Sequence, residues 1–395
     1  MSRYQRFLTL VTALLLALTF SQAAVAAEPI KIGAFFDLSG PAASIGTPTK
    51  LVAQMVTDKI NKEGGINGRP IELVLGDSES DPTKAVMVYK KFLAVDKVVA
   101  VVGPTRTDTG MAVKKQAEEA KMPTVMCVGG DPVIMEGKMG NMDFGTARYV
   151  FKTPQRSSTA VSKVMAYLKD HGLAKIGLIT ASDGFGRDGL RWMEKLAPEF
   201  GLTIVGKEQF EPNDVDMKSQ LTKLNAASPQ AIICWTIGDA GAIVSKNHQA
   251  LGIKAPLVQC HGLPGPRYLE LAGSAAEGNL MPATKLMAWQ QLPDSDPQKK
   301  VIAEFVHLYN DVYKFDKQYP INTHSGYAWD ALYLLAGAMK QAGTDPEKLK
   351  TALENTKGYV GVSGVYNLSP QDHNGLNTDS MVMLEVKDGK YVMVK

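Results

Sequence analysis

Only three cysteines, Cys127, Cys234 and Cys260, occur among the 395 residues. A disulfide framework is thereby excluded, because stapled scaffolds are short and cysteine-dense. Charge of one sign is lacking as well: 43 lysines and arginines stand against 40 aspartates and glutamates, a net of +3. Such a balance gives no basic field for gripping phosphates, so no nucleic-acid partner is expected. Histidine is scarce, and the six, at 171, 248, 261, 307, 324 and 373, never fall at ligand-like spacing with one another. The adjacent pair Cys260-His261 reads as loop chemistry, so no metal is expected. No H-E-x-x-H, C-x-x-C, G-x-S-x-G or Walker A loop is present, which removes the commonest hydrolase, redox and nucleotidase signatures. Past residue 26 no stretch approaches the roughly 18 uninterrupted apolar residues of a spanning helix. What is there, 45% hydrophobic and 21% charged residues, is the composition of an ordinary globular protein with a large core.

Residues 1–26 form a separate object. Arg3 and Arg6 make a basic start, Phe7 to Phe20 is mostly apolar and uncharged, and Ala24-Val25-Ala26 is a small-x-small cleavage site. This layout predicts a cleaved secretory signal peptide and a nearly neutral mature protein outside the cytoplasm. No cysteine lies near the cleavage site, so no lipid anchor is expected there. Disulfides persist in such a compartment, yet three thiols leave at least one unpaired. All three sit in or at the end of apolar strand-like runs, which favours buried free thiols over a Cys234–Cys260 bridge.

The mature sequence alternates short apolar runs with amphipathic segments. Strands are expected over 30–36, 71–77, 98–103 and 123–128, separated by helices over 44–62, 83–95 and 108–121. After a break at 128–147 the rhythm resumes with helices over 157–171, 187–199, 214–226 and 239–251, and strands over 175–180, 202–210, 230–236 and 256–260. Continuously apolar strands between helices predict parallel sheets covered on both faces, the α/β doubly wound class. Helices follow over 296–316, 322–341 and 345–355. The end alternates by two around Asp388-Gly389, the pattern of a β-hairpin. Two lobes are therefore expected: 28–150 completed by 280–360, and 151–279 completed by 361–395.

Gly184-Phe185-Gly186-Arg187-Asp188-Gly189 is a literal G-x-G-x-x-G between a strand and a helix, with Glu208 about 20 residues on, as a dinucleotide fingerprint requires. A secreted dinucleotide-dependent oxidoreductase is thus one rival reading. Against it, an exported chain meets little nicotinamide cofactor, and Ser182-Asp183 lengthens a turn that the fingerprint keeps tight. Glycines at strand-to-helix turns are common in any doubly wound sheet, so no cofactor is expected and the chain is read as a non-enzyme.

Open parallel sheets bind ligands beyond the carboxyl ends of their strands. The loops there, 37–41, 77–80, 103–107 and 128–130 in the first block and 182–186, 236–239 and 261–262 in the second, are rich in Gly, Ser and Thr. Backbone N–H groups and hydroxyls ahead of a helix suit a carboxylate. Thr107 is expected both to cap helix 108–121 and to grip such a group.

In combination, Phe35 to Pro41, Val56 to Gly68 with its Ile60-Asn61 and Gly64-Gly65-Ile66-Asn67-Gly68, Asp77 followed by Asp81-Pro82, and Val102-Gly103-Pro104 resemble the leucine/isoleucine/valine-type periplasmic binding proteins of ATP-binding-cassette importers. The likeness spans nearly the whole mature chain. It implies a type I periplasmic-binding-protein fold, two doubly wound parallel-sheet lobes joined by a three-stranded hinge, closing on a ligand. It also implies a monomer that presents its ligand to a membrane permease. Carried over by position, it implies a carboxylate grip at Thr107, Val128, Gly129 and Gly130, an aromatic cover at Phe185, second-lobe loops at Gly238 and His261, and a pocket position at Ile45. It further offers an innocent origin for the Gly184–Gly189 turn. Two positions depart from the family pattern: Gly130 stands where a hydroxyl is usual, and His261 where an acid usually reads a ligand ammonium. Asp239 is a candidate substitute for that acid. The departures suggest a small carboxylate without an α-amine, aliphatic or aromatic, with Arg106 or His261 near its polar end. A ligand-sensing domain of a signalling system, built on the same fold, is the second rival.

Overall fold

The computed structural model describes residues 28–135 and 146–394; the expected leader at 1–26 lies outside them. Strand β1 (Ile30–Phe36) shows how the sequence builds the first lobe. Its side chains alternate, with Ile32, Ala34 and Phe36 entering one core and Phe35 the core on the opposite face. A strand buried on both faces needs parallel neighbours. It has them in β2 (Ile71–Asp77) and β3 (Ala100–Val102), followed by β4 (Thr124–Met126) and β5 (Val150–Lys152), in the order β2-β1-β3-β4-β5. Helices α1 (Ala43–Lys62), α2 (Pro82–Lys91) and α3 (Thr107–Glu119) link them. Asp81 starts α2 as the sequence suggests, accepting the Lys84 N–H at 2.8 Å with Pro82 in the first turn.

The second lobe repeats the logic. Strands β6 (Lys175–Ala181), β7 (Thr203–Phe210), β8 (Ala231–Trp235), β9 (Leu257–Gln259) and β10 (Leu280–Thr284) run parallel. Two antiparallel strands, β13 (Met381–Lys387) and β14 (Lys390–Val394), extend the sheet beside β10. On β8, Ile233 and Trp235 enter one core while Ile232 and Cys234 enter the other. Between the strands lie α4 (Ser157–Asp170), α5 (Gly184–Leu196), α6 (Lys218–Ala226), α7 (Ala240–Ala250) and α8 (Pro266–Ala272). Cys127, Cys234 and Cys260 are buried free thiols.

The chain passes between lobes three times: through 153–156 from β5 into α4, after β10 toward α9 (Lys299–His307), and between Leu376 and β13. Helices α9, α10 (Tyr327–Ala342) and α11 (Pro346–Glu354) pack on the first lobe's core. The expected boundaries at 280 and 360 shift accordingly. Residues 280–284 lie in the second sheet, because Leu280, Met281 and Ala283 complete its apolar face. Val362, Tyr366, Leu368 and Leu376 stay with the first lobe, where β11 (Tyr359–Val360) and β12 (Val365–Tyr366) form a small ribbon. Asp330 anchors that ribbon, accepting the Val362 and Ser363 N–H groups at 2.8 Å each.

The Gly184–Gly189 turn is explained by internal packing. Asp183 caps α5 by accepting the Gly186 N–H at 2.8 Å. A Cβ on Gly186 would sit 2.0 Å from the Ala181 carbonyl oxygen, and one on Gly189 would sit 2.3 Å from the Trp235 ring. Both glycines let α5 lie close on its own sheet.

Candidate functional site

The carboxyl ends of both parallel sheets face one another, and their loops form the walls of a cleft. Its outer part, about 570 Å³, is bordered by Pro41 and Ile45 from the first lobe and by Val215, Gly238 and Arg267 from the second. Beside it lies a small pocket of about 20 Å³, lined by Thr105, Thr107 and Gly129 on one side and by Phe185, Ile237 and His261 on the other. His324 and Tyr327, delivered by the segment that leads into α10, close the floor. Ile237 borders both spaces.

The first-lobe wall is held by buried charge. Asp37, fully buried, accepts the Thr105 N–H at 3.1 Å and its hydroxyl at 2.5 Å, fixing the loop ahead of α3. Arg106 occupies the cap position of α3 and Thr107 its first turn, one residue beyond the capping role expected of Thr107. The difference matters little chemically, because first-turn N–H groups have no intrahelical acceptor and point outward. Gly130 packs directly on Thr107: a Cβ there would lie 2.6 Å from the threonine hydroxyl. A hydroxyl-bearing side chain at position 130 would displace Thr107, so the glycine and the threonine belong together. Val128 turns its side chain into the core behind the sheet, beside Val113 and Val133.

Below this wall runs a buried ionic network. Lys152, at the end of β5, donates to the Gly129 carbonyl at 2.6 Å and to the Gln155 carbonyl at 3.3 Å, and pairs with Asp131 at 3.3 Å. Asp131 accepts the Ser157 N–H at 2.8 Å and the Ser158 hydroxyl at 2.7 Å, both from α4 of the other lobe. Burial alone would raise the Asp131 pKa, but Lys152, Arg156 and the Ser158 hydrogen bonds more than offset it and hold the carboxyl ionised. Asp188 on α5 accepts the Asp131 N–H at 2.8 Å, and burial together with the Asp131 charge pushes it up to about 7.

The second-lobe wall is aromatic. The rings of Phe185, Trp235 and His261 lie with centroids 5.4–5.8 Å apart. Burial and the Lys152 charge hold the His261 imidazole neutral, its pKa lowered to about 3. Burial lowers His324 to about 4, and its Nε2–H donates to the Gly262 carbonyl at 3.0 Å. The lobes touch across the cleft: Asp108 accepts the Gly184 N–H at 3.1 Å, and Arg106 stands 3.8 Å from Asp183. Gly129 lies against Phe185, where an added Cβ would meet the ring at 3.0 Å. These contacts join the two lobes directly across the cleft.

The residues singled out by sequence therefore divide. Thr107, Gly129, Phe185 and His261 line the inner pocket; Ile45, Arg106 and Gly238 line the outer cleft. Val128 and Gly130 line neither and support from behind. Asp239, the candidate substitute acid, borders the outer cleft and pairs with Arg267 at 3.2 Å, away from the inner pocket. Sequence reasoning missed Lys152, His324 and Tyr327. Among the described residues no cluster of three or more His, Cys, Asp or Glu is placed to hold a metal ion.

A family model described as periplasmic binding protein matches residues 29–390. A Leu/Ile/Val-binding protein homologue from Brucella melitensis is 22% identical over 98% of this chain and 99% of its own length. An extracellular ligand-binding receptor from Rhodopseudomonas palustris superposes with a TM-score of 0.83 at 27% identity, covering 93% of this chain and all of that one. The branched-chain amino acid transporter substrate binding protein LivJ from Streptococcus pneumoniae, solved in complex with isoleucine, gives 0.78 at 25% identity over 93% and 99% of the two chains.

Proposed function

This chain belongs to the periplasmic binding protein family, and we propose that it is the solute-binding component of an ATP-binding-cassette importer, capturing a small carboxylate-bearing ligand between its lobes. The observation that carries this reading is the juxtaposition, in one pocket, of the first-turn residue Thr107 with the aromatic face of Phe185. A carboxylate placed at the start of α3 meets outward N–H groups, a hydroxyl and the positive end of the helix dipole. The ring across the cleft excludes water from it. Capture then consists of entry into an open cleft, closure about the three crossing segments, and desolvation of the ligand. The closed form is what a membrane permease would receive. The ligand class includes branched-chain or other apolar amino acids and amine-free aliphatic or aromatic acids. The Leu/Ile/Val-binding protein homologue from Brucella and the isoleucine complex of LivJ from Streptococcus support the amino-acid end of that range.

In this reading the protein works in the periplasm as a monomer, after removal of residues 1–26, without a cofactor and without catalysis. The oxidoreductase alternative loses its main support, since Gly186 and Gly189 are required by the packing of α5 on Ala181 and Trp235. Native mass spectrometry of the protein purified from its export compartment tests the proposal. One small carboxylic acid per chain is expected; a bound nicotinamide dinucleotide would overturn it.

A further inference from the structure

Both ring nitrogens of His261 are buried and meet no partner among the described residues, although the residue is only 2% exposed and lines the inner pocket. Buried polar groups without partners are uncommon and costly, so such a group calls for a function. Nε2 lies 3.3 Å from where a Gly129 Cβ would be, so it faces the first-lobe wall across the pocket. Its ring neighbours Phe185 and Trp235 offer no acceptor.

No carboxylate among the described residues lines this pocket. The nearby acids are engaged elsewhere. Asp183 caps α5, Asp108 accepts the Gly184 N–H, Asp131 is held by Lys152 and Ser158, and Asp239 pairs with Arg267 outside.

Resting on the solute-receptor reading above, we infer that the inner pocket selects carboxylic acids whose carbon next to the carboxylate bears a hydroxyl in place of an ammonium, with His261 as the specificity-determining residue. A neutral imidazole presents one N–H donor and one acceptor nitrogen. That pair matches a hydroxyl, which both donates and accepts. An ammonium brings three donors and a full charge to a pocket lined by hydroxyls and neutral imidazoles but by no carboxylate, so its charge is desolvated without a counter-charge. Ile237 lines both the pocket and the outer cleft, an apolar side chain where the remainder of the ligand would lie.

Calorimetric titration of the mature protein with two matched series decides this. One is leucine, 2-hydroxy-4-methylpentanoate and 4-methylpentanoate; the other is phenylalanine, phenyllactate and 3-phenylpropanoate. In at least one series the 2-hydroxy acid should bind at least about 100-fold tighter than the amino acid, the scale set by an uncompensated ammonium, and also tighter than the acid that lacks the hydroxyl. His261→Glu should shrink or invert that ratio, while His261→Asn, neutral with a donor and an acceptor, should keep it. Should His261→Glu fail to fold, His261→Asn and the wild-type ratios still decide. Equal or tighter binding of the amino acid overturns this inference and leaves the carboxylate reading intact. Binding of neither class overturns both.

Discussion

The two walls of the cleft are built on opposite principles. The first-lobe wall is backbone and hydroxyl, fixed from behind by buried polar groups that find partners within the protein: Asp37 with Thr105, Lys152 with Gly129 and Asp131. The second-lobe wall is rings, and its one polar member, His261, has no partner. A wall whose polar groups are satisfied within the protein is preorganised and can grip the one group every ligand of the class shares. A wall with an unpartnered group discriminates, because the ligand itself must supply what is missing.

Disturbing the first wall from behind should have the largest effect. Lys152→Met leaves Asp131 buried without its ion-pair partner, and urea unfolding should show a loss of about 3–5 kcal/mol. A loss below about 1 kcal/mol would mean that the network does not support the wall. On the other side, Phe185→Ala removes a nearly buried ring and should cost roughly 3 kcal/mol of stability together with ligand affinity.

His261 gives the contrast a pH signature. An unfolded histidine takes its proton near 6.5, whereas the folded one resists to about 3. Below 6.5 the unfolded chain therefore binds more protons, and stability falls as pH drops toward 3. Urea midpoints compared between pH 6.5 and about 4.5 should fall more steeply for wild type than for His261→Gln, by roughly 2 kcal/mol across that range. Parallel slopes would show that His261 is not held neutral. Arg106→Gln, which removes an ion pair already stretched to 3.8 Å, should change stability by less than about 1 kcal/mol. Its effect should appear in solution scattering, as a larger fraction of open molecules at subsaturating ligand.

What could be read from sequence follows the same physics. Strands β1 and β2 were legible residue for residue, because seven-residue runs between turn signals leave little choice. Strand β5 has three residues and ends in Lys152, which reads as a solvent-facing end. Its burial depends on Asp131 and the Gly129 carbonyl, neither of which a local pattern reveals. Thr107, Phe185 and His261 could be found because they follow strands. His324 and Tyr327 could not: they follow a turn in a helical stretch nearly 200 residues beyond the first-lobe wall, and only the third dimension returns them to the pocket. The loop position of Val128 says where its backbone lies and nothing of which way its side chain turns, which is into the core.

The central claim is that the start of α3 holds a carboxylate, and the direct test is a calorimetric titration of ligand-stripped wild type and Thr107→Val with a panel of short aliphatic and aromatic carboxylic acids. We predict one binding site per chain for at least one acid, weakened about tenfold or more by a substitution that removes the hydroxyl and keeps the shape. Unchanged affinity in Thr107→Val, or no binding of any acid by wild type, would contradict it.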